Sequence, residues 1–146
     1  MQVEIKIDPS CKEPKIIIVA ETMSEEVESL VKRLSADFPR VISGIRDERL
    51  KLLEEEELIR IYAGSGKVFA VTEQGEYVVR LRLYELEERL DRKKFVRISN
   101  SEIINLKKVK AFDLSFAGTV CVEFLNGTVT YVSRRYVPKI KQILGI

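Results

Sequence analysis

The sequence predicts a mainly β fold with short helices, of the α+β class, built from small antiparallel hairpins. Three observations support this prediction. From Val41 onward the chain consists of short runs in which apolar and polar residues alternate. Turn signals, GSG at 64–66 and NG at 126–127, separate such runs at close intervals. The helical patterns are short, as in LYELEERL at 83–90, where the leucines fall on one face.

The first 43 residues predict a small β/α extension. Residues 3–7 alternate apolar and polar side chains, which is typical of a half-buried strand, and the apolar run 16–20 predicts a buried strand. Ser24 is positioned to cap a helix that ends before Pro39. A segment this small buries too little surface to fold alone. We therefore expect residues 1–43 to pack on the rest of the chain or to form a contact between two copies.

The second predicted domain spans residues 44–146 and begins with short strands. These strands are expected at 59–63, 68–72 and 77–80, joined by hairpin turns. The acidic run at 54–57 predicts a solvated turn, with a metal site as the less favoured alternative. The stretch AGSGK at 63–67 lacks the spacing of a phosphate-binding loop and leads into a strand, so it predicts a glycine-rich hairpin turn.

The final hairpin is indicated by the pair Asn126-Gly127 between two alternating runs. A two-residue loop there would place Leu125 opposite Thr128. Since side chains alternate between the faces of a sheet, this register would turn Val129 and Tyr131 toward the apolar residues of the preceding strand.

A strand-to-helix corner is predicted near the C-terminus. Arg134 and Arg135 follow the last strand, and Ser133 can cap the segment after it. Pro138 does not suit the interior of a helix that begins at Ser133, because proline lacks a backbone N–H. We therefore expect a tight turn through the arginines and then a helix to about Leu144, with a glycine as its stop.

Composition argues against an enzyme and against a metal protein. The chain contains no histidine and two cysteines without a CxxC spacing, so it lacks the commonest general base and the four soft ligands of a structural zinc site. No cofactor fingerprint occurs, and we expect no cofactor.

The longest apolar run has five residues, too short to span a bilayer, and no secretory signal precedes it. We expect a cytoplasmic protein that does not bind membranes.

Charge is distributed unevenly along the chain. Residues 1–91 contain 14 basic and 20 acidic residues, whereas residues 92–146 contain 11 basic and 3 acidic residues. A basic half of this kind suggests a surface for a polyanion, because Lys and Arg neutralise phosphates and Arg, Asn and Ser can also contact base edges. The alternative is a solvated basic surface. Arg134 and Arg135 are the strongest candidates, since a corner would project their guanidinium groups in different directions.

Two stretches of the basic half are characteristic of one family. FVRISNSEIINLKKVKAF and VEFLNGTVTYVSRRYVPKIKQIL closely resemble the LytTR family of bacterial DNA-binding domains, and the upstream GEYVVRLRLYELEERL matches the family's strand-then-helix segment. The resemblance covers roughly residues 44–146. It implies an elongated antiparallel β fold whose loops enter successive major grooves of double-stranded promoter DNA. It also implies a transcriptional regulator that binds as a homodimer on imperfect direct repeats.

The resemblance implies three regions of DNA contact. One is the loop with Ser99 and Asn100, a second is the hairpin turn with Asn126, and the third is the corner with Arg135 and Arg134. Many members carry histidine in the first loop, whereas this chain has Ser99-Asn100, so we expect the contact to shift to Asn100. Phosphate contacts are expected from the neighbouring basic residues Arg97, Lys107 and Lys108.

The N-terminal segment departs from the family's best-known arrangement. About 40 residues cannot hold a phosphoacceptor receiver domain, so the chain resembles small one-component LytTR regulators with a short extension. The alternative function is a protein-interaction module that keeps the fold and no longer reads DNA. The replaced histidine and the acidic N-terminal half motivate this alternative, and the two retained arginines argue against it.

Overall fold

The computed structural model describes residues 1–35 and 41–146, and the chain divides into two compact units, 1–37 and 38–146. The described residues form a mostly antiparallel β fold with three short helices, which confirms the predicted fold class.

In the described part of the first unit, residues 1–35, one helix forms, α1 (Glu25–Ser35). The Ser24 hydroxyl oxygen accepts a hydrogen bond of 3.3 Å from the backbone N–H of Val27, as predicted for an N-cap. Three glutamates in the first turn face the positive end of the helix dipole. The predicted end before Pro39 lies outside the described residues.

The strands predicted at 3–7 and 16–20 are wrong. Neither segment is a strand, and Val3, Ile5 and Ile7 are exposed. Alternation identifies an apolar face, but a strand also needs a neighbour that accepts and donates its backbone hydrogen bonds. Among the described residues these two segments have no such ladder.

The second unit is built on a large antiparallel sheet. Its strands are β1 (Val41–Arg46), β2 (Arg49–Glu54), β3 (Arg60–Gly64), β4 (Lys67–Thr72), β5 (Gly75–Val79), β6 (Phe95–Ser99) and β7 (Glu102–Asn105). These seven strands have the order β2-β1-β5-β4-β3-β7-β6, and a helix, α2 (Leu83–Arg89), connects β5 to β6. The strands at 59–63, 68–72 and 77–80 and the helix at 83–90 were all predicted, with ends shifted by at most two residues.

A three-stranded sheet and the C-terminal helix complete this unit. The sheet has the order β10-β9-β8, with β8 (Val109–Asp113), β9 (Val120–Phe124) and β10 (Val129–Val132). The helix is α3 (Val137–Leu144). One apolar core joins α2 to the large sheet through residues such as Leu86 and Ile61, and a second joins β6 and β7 to the small sheet and α3 through residues such as Phe124 and Ile140.

The acidic run at 54–57 is not a solvated turn. Glu54 ends β2, and Glu55–Glu57 form a 3-10 helix in which the side chain of Glu55 is buried. Glu55 Oε1 accepts a 3.1 Å hydrogen bond from the backbone N–H of Asp91. The sequence could not reveal this partner, because it lies 36 residues away.

The register of the final hairpin differs from the prediction by one residue. Val129 pairs with Glu123 and Val132 with Val120, so the loop has three residues rather than two. Gly127 takes φ +88°, the left-handed conformation that closes such a loop. Because a one-residue shift exchanges the faces of a strand, Val129 and Tyr131 point away from the core and are about half exposed.

Candidate nucleic-acid interface

Three loops of the second unit lie at one end of its strands. They are the β3–β4 turn (64–67), the β6–β7 loop (99–102) and the corner after β10 (133–136), and we call them the loop row. The β6–β7 loop is central: the backbone carbonyl of Ser101 accepts from Ala63 N at 2.8 Å, and the carbonyl of Ile98 accepts from Ser133 N at 2.9 Å. The central loop is therefore fixed to both neighbours.

The corner is formed by local chain chemistry, as predicted. Arg134–Tyr136 form a 3-10 helix, in which the carbonyl of Ser133 accepts from the N–H of Tyr136 at 2.9 Å. Proline near the start of α3 is tolerated because the first helical N–H groups need no intrahelical partner. Gly145 ends α3 at φ +74°. Ser133 caps only through its backbone, since its side chain makes no cap hydrogen bond.

The corner that carries the two arginines is joined to Asn100 by Tyr136. The Tyr136 hydroxyl donates a 3.1 Å hydrogen bond to Asn100 Oδ1, across 36 residues of sequence. Arg134, Arg135 and Asn100 are all exposed. The bond orients the Asn100 side chain and leaves its amide N–H groups without a partner among the described residues, so the loop row offers an amide donor joined to the corner that carries the two arginines.

Ser99 and Arg97 shape the central loop rather than projecting from it. Ser99 Oγ accepts from the backbone N–H of Ser101 at 3.1 Å, which closes a short turn. The Arg97 guanidinium donates to the backbone carbonyls of Ser99 at 2.7 Å and Asn100 at 2.5 Å, and it pairs with Glu87 of α2. The side chain of Arg97 is only 14% exposed.

Asn126, Lys107 and Lys108 lie at the opposite end of the small sheet. β9 runs from the corner to the hairpin turn, and its five residues separate the two ends by about 13 Å. Leu125 N donates to the Lys108 carbonyl at 2.9 Å, which joins the turn to the two lysines. Asn126 Oδ1 accepts from the N–H and hydroxyl of Thr128, so its oxygen stabilises the turn.

Sequence reasoning did not include the β3–β4 turn among the site residues. The prediction of a hairpin turn at 64–66 is confirmed, with Ser65 and Gly66 at positive φ, and Lys67 is exposed beside it. Its place next to the central loop follows from the pairing of β3 with β7, which no local pattern reveals. On β3 beside this turn, the Tyr62 hydroxyl donates a 2.8 Å hydrogen bond to Glu76, and burial and this bond raise the pKa of Tyr62.

No group of three or more metal-ligating side chains occurs in the described part of the chain. Within residues 1–35 and 41–146, no helix is long and apolar enough to cross a membrane.

Comparison with known proteins places these features in context. The family model of the LytTr DNA-binding domain matches residues 48–145. Two uncharacterized HTH-type transcriptional regulators of Staphylococcus aureus, from strains NCTC 8325 and COL, are each 30% identical over 147 residues and align with all of this chain and 99% of their own length.

A solved structure shares the fold. The LytTr DNA-binding domain of a methyl-accepting/DNA response regulator from Bacillus cereus superposes with a TM-score of 0.72 at 21% identity, covering 75% of this chain and all of that one. The bacterial regulators align along the full length, including the first 43 residues, whereas the family model begins at residue 48.

Proposed function

Because the chain belongs to the LytTr DNA-binding domain family, a family of non-enzymatic regulators, we propose that this DNA-binding transcriptional regulator reads specific promoter sequences with its loop row. The observation that carries the proposal is the hydrogen bond between Tyr136 and Asn100, which joins an exposed amide to the corner that carries Arg134 and Arg135. Arg can bind guanine and Asn can bind adenine through paired hydrogen bonds in the major groove.

The dimensions of the small sheet support insertion of the loop row into one major groove and phosphate contacts by the opposite end of the sheet. The major groove is about 12 Å wide, enough for a projecting corner or loop. The hairpin turn with Asn126 lies about 13 Å away along β9, too far to share the same base pairs. We assign Lys107 and Lys108 at that end to the flanking phosphate backbone, where they would add affinity without sequence preference.

The division of the chain follows the same proposal. Residues 44–146 would form the DNA-binding domain, and residues 1–43 an accessory extension that mediates contact between copies. The full-length alignment with the staphylococcal regulators supports a role for the extension, because those proteins share it. Binding as a homodimer on imperfect direct repeats is part of the proposal.

A fluorescence-anisotropy titration tests this function. The full chain would be titrated into a duplex selected from a randomised library and into its scrambled counterpart, at two salt concentrations. We expect about a 1,000-fold preference that persists at the higher salt. The variant Arg134→Ala/Arg135→Ala should lose this preference. Equal binding to both duplexes that salt abolishes would contradict the proposal and favour the interaction module.

A further inference from the structure

The central loop is held from behind by a pair of side chains that do not belong to the loop row. The guanidinium of Arg97 on β6 has three partners. Nε donates to the Ser99 carbonyl, Nη2 donates to the Asn100 carbonyl, and Nη1 pairs with Glu87 on α2. The strand register shifts between Arg97 and Ser99, so β6 is already irregular where these bonds form.

We propose that the Glu87–Arg97 pair is a positioning device that sets the conformation of the central loop and thereby determines sequence specificity. The inference rests on the proposed function. It assigns a DNA-recognition role to an acidic residue, Glu87, and changes the role of Arg97 from phosphate contact to loop support.

Burial and geometry support this assignment. With a side chain that is only 14% exposed, Arg97 has little surface to offer a phosphate, and a desolvated guanidinium needs the partners it has. Two consecutive carbonyls on one guanidinium fix the backbone of Ser99 and Asn100. Glu87 holds the guanidinium in the plane that these carbonyls require, and Tyr136 then fixes the Asn100 side chain.

Electrostatics distinguishes a positioning role of Glu87 from a simple charge effect. Removing a carboxylate from a DNA-binding protein normally strengthens its binding to any duplex, because a repulsive charge is lost. If Glu87 acts by positioning, Glu87→Ala should instead weaken binding to the selected duplex, by roughly tenfold for a lost charge-assisted hydrogen bond. Binding to the scrambled duplex should remain equal or become tighter.

Glu88 provides the matched control. It is the next residue on α2, it is exposed, and its side chain makes no hydrogen bond or ion pair with another described residue. Glu88→Ala removes the same charge at nearly the same place, so it should leave the preference unchanged. Glu87→Gln, which keeps a hydrogen-bond acceptor, should restore part of the affinity that Glu87→Ala loses.

Arg97 variants separate support from phosphate contact. Arg97→Lys keeps the charge but loses the planar fork, so it should weaken binding to the selected duplex about as much as Arg97→Ala. A phosphate contact predicts the opposite, because lysine would replace it and Arg97→Ala would reduce the salt slope by about 0.9 on both duplexes.

A measurement without DNA completes the test. In the NMR spectrum of the full chain, the Arg97 Nε–H should exchange slowly in the wild type and in Glu88→Ala, and rapidly in Glu87→Ala. A slow Arg97 signal in Glu87→Ala, or tighter binding of Glu87→Ala to both duplexes, would overturn the proposal. A wild type with no preference between duplexes would refute the proposed function instead, and the NMR result would still decide whether Glu87 holds Arg97.

Discussion

The two arginines at the corner have different surroundings. Arg134 lies against Gly118 in the β8–β9 loop, where a β-carbon on Gly118 would come within 3.1 Å of Arg134 Nε. Arg135 is exposed, and its guanidinium makes no hydrogen bond with another described residue. In the proposed function Arg135 is therefore the better candidate for a base contact, whereas Arg134 has the neighbouring loop against its guanidinium.

Replacing Arg135 should abolish one base contact. Arg135→Ala is expected to cost about 1–3 kcal/mol on the selected duplex, and much less on the scrambled one. Arg135→Lys keeps the charge without the paired donors, so it should recover little of the loss. Anisotropy titrations of both variants on both duplexes provide the measurement. Equal losses on the two duplexes would assign Arg135 to a phosphate.

The contact between Arg134 and Gly118 can be tested by adding one carbon atom at position 118. Gly118→Ala should displace the guanidinium and weaken specific binding, and this effect should vanish when Arg134 is already alanine. We expect a coupling of about 0.5–3 kcal/mol in the double-mutant cycle. Gly145→Ala is the control, because Gly145 has the same φ as Gly118 (+74°), has no neighbour within 4 Å and lies outside the proposed DNA contacts. Additive effects of Gly118→Ala and Arg134→Ala would mean that the contact does not position Arg134.

At the scale of elements, the carboxylate of Glu102 joins the two sheets. This buried residue of β7 accepts a 2.9 Å hydrogen bond from Arg60 on β3 and a 2.7 Å hydrogen bond from the Thr130 hydroxyl on β10. Arg60 also lies over the Tyr62 ring, 4.6 Å from its centroid. One side chain thus links three strands, and it does so directly behind the central loop.

Removing this link should lower stability. Glu102→Ala leaves the Thr130 hydroxyl and the Arg60 guanidinium, which is 28% exposed, without their shared acceptor, at an expected cost of about 1–3 kcal/mol. Glu123→Ala serves as the control, because its 3.8 Å pair with Lys110 is exposed and should contribute at most about 0.5 kcal/mol. Urea unfolding of both variants measures the difference. Similar midpoints would show that the Glu102 bonds add no net stability.

The elements that sequence predicted correctly are those determined by local chemistry. α2 follows from its apolar spacing, and the corner follows from Pro138 and Gly145. The errors occur where the structure of a segment depends on its partner elsewhere in the chain. Segments 3–7 and 16–20 lack a neighbouring strand, and Asn126-Gly127 suits a three-residue loop as well as a two-residue one.

The residues of the candidate site also divide into those that local sequence predicts and those whose contacts depend on distant partners. The exposed arginines could be selected from charge and from a corner signal, because both are local properties. The role of Arg97 depends on Glu87, ten residues earlier, and the link between the corner and Asn100 depends on Tyr136. Such side-chain contacts across elements follow from the packing of β6 against α2 and the C-terminal segment, which no periodicity encodes.

At the scale of the whole molecule, charge and geometry act over different distances. In the proposed function, the 11 basic residues of 92–146 would attract any duplex and speed association, and this effect would weaken as salt is added. The loop row would act only at contact, where its donors could distinguish base pairs. On this proposal, specificity belongs to a few residues held by Tyr136 and Arg97, while general affinity belongs to the basic half as a whole.

Binding to direct repeats makes a prediction about spacing. Two copies on direct repeats have the same orientation, so their contact is head-to-tail and depends on how the two sites are rotated about the DNA axis. Sites about one helical turn apart, roughly 10.5 base pairs, place both copies on one face. We expect cooperativity of at least about fivefold on such a duplex. Inserting five base pairs should abolish it, because the copies then lie on opposite faces of the DNA. Inserting ten should not restore it, because the two sites are then about 34 Å further apart and the copies cannot touch.

Anisotropy or gel-shift titrations of the three duplexes measure this dependence, with a single-site duplex as the reference for intrinsic affinity. The single-site affinity should equal the affinity on the five-base-pair insertion, since both leave each copy without its neighbour. A full chain that binds all three spacings equally would be acting as independent monomers. In that case the base contacts of the loop row would stand, but the homodimer on DNA and the proposed role of residues 1–43 in contact between copies would be excluded.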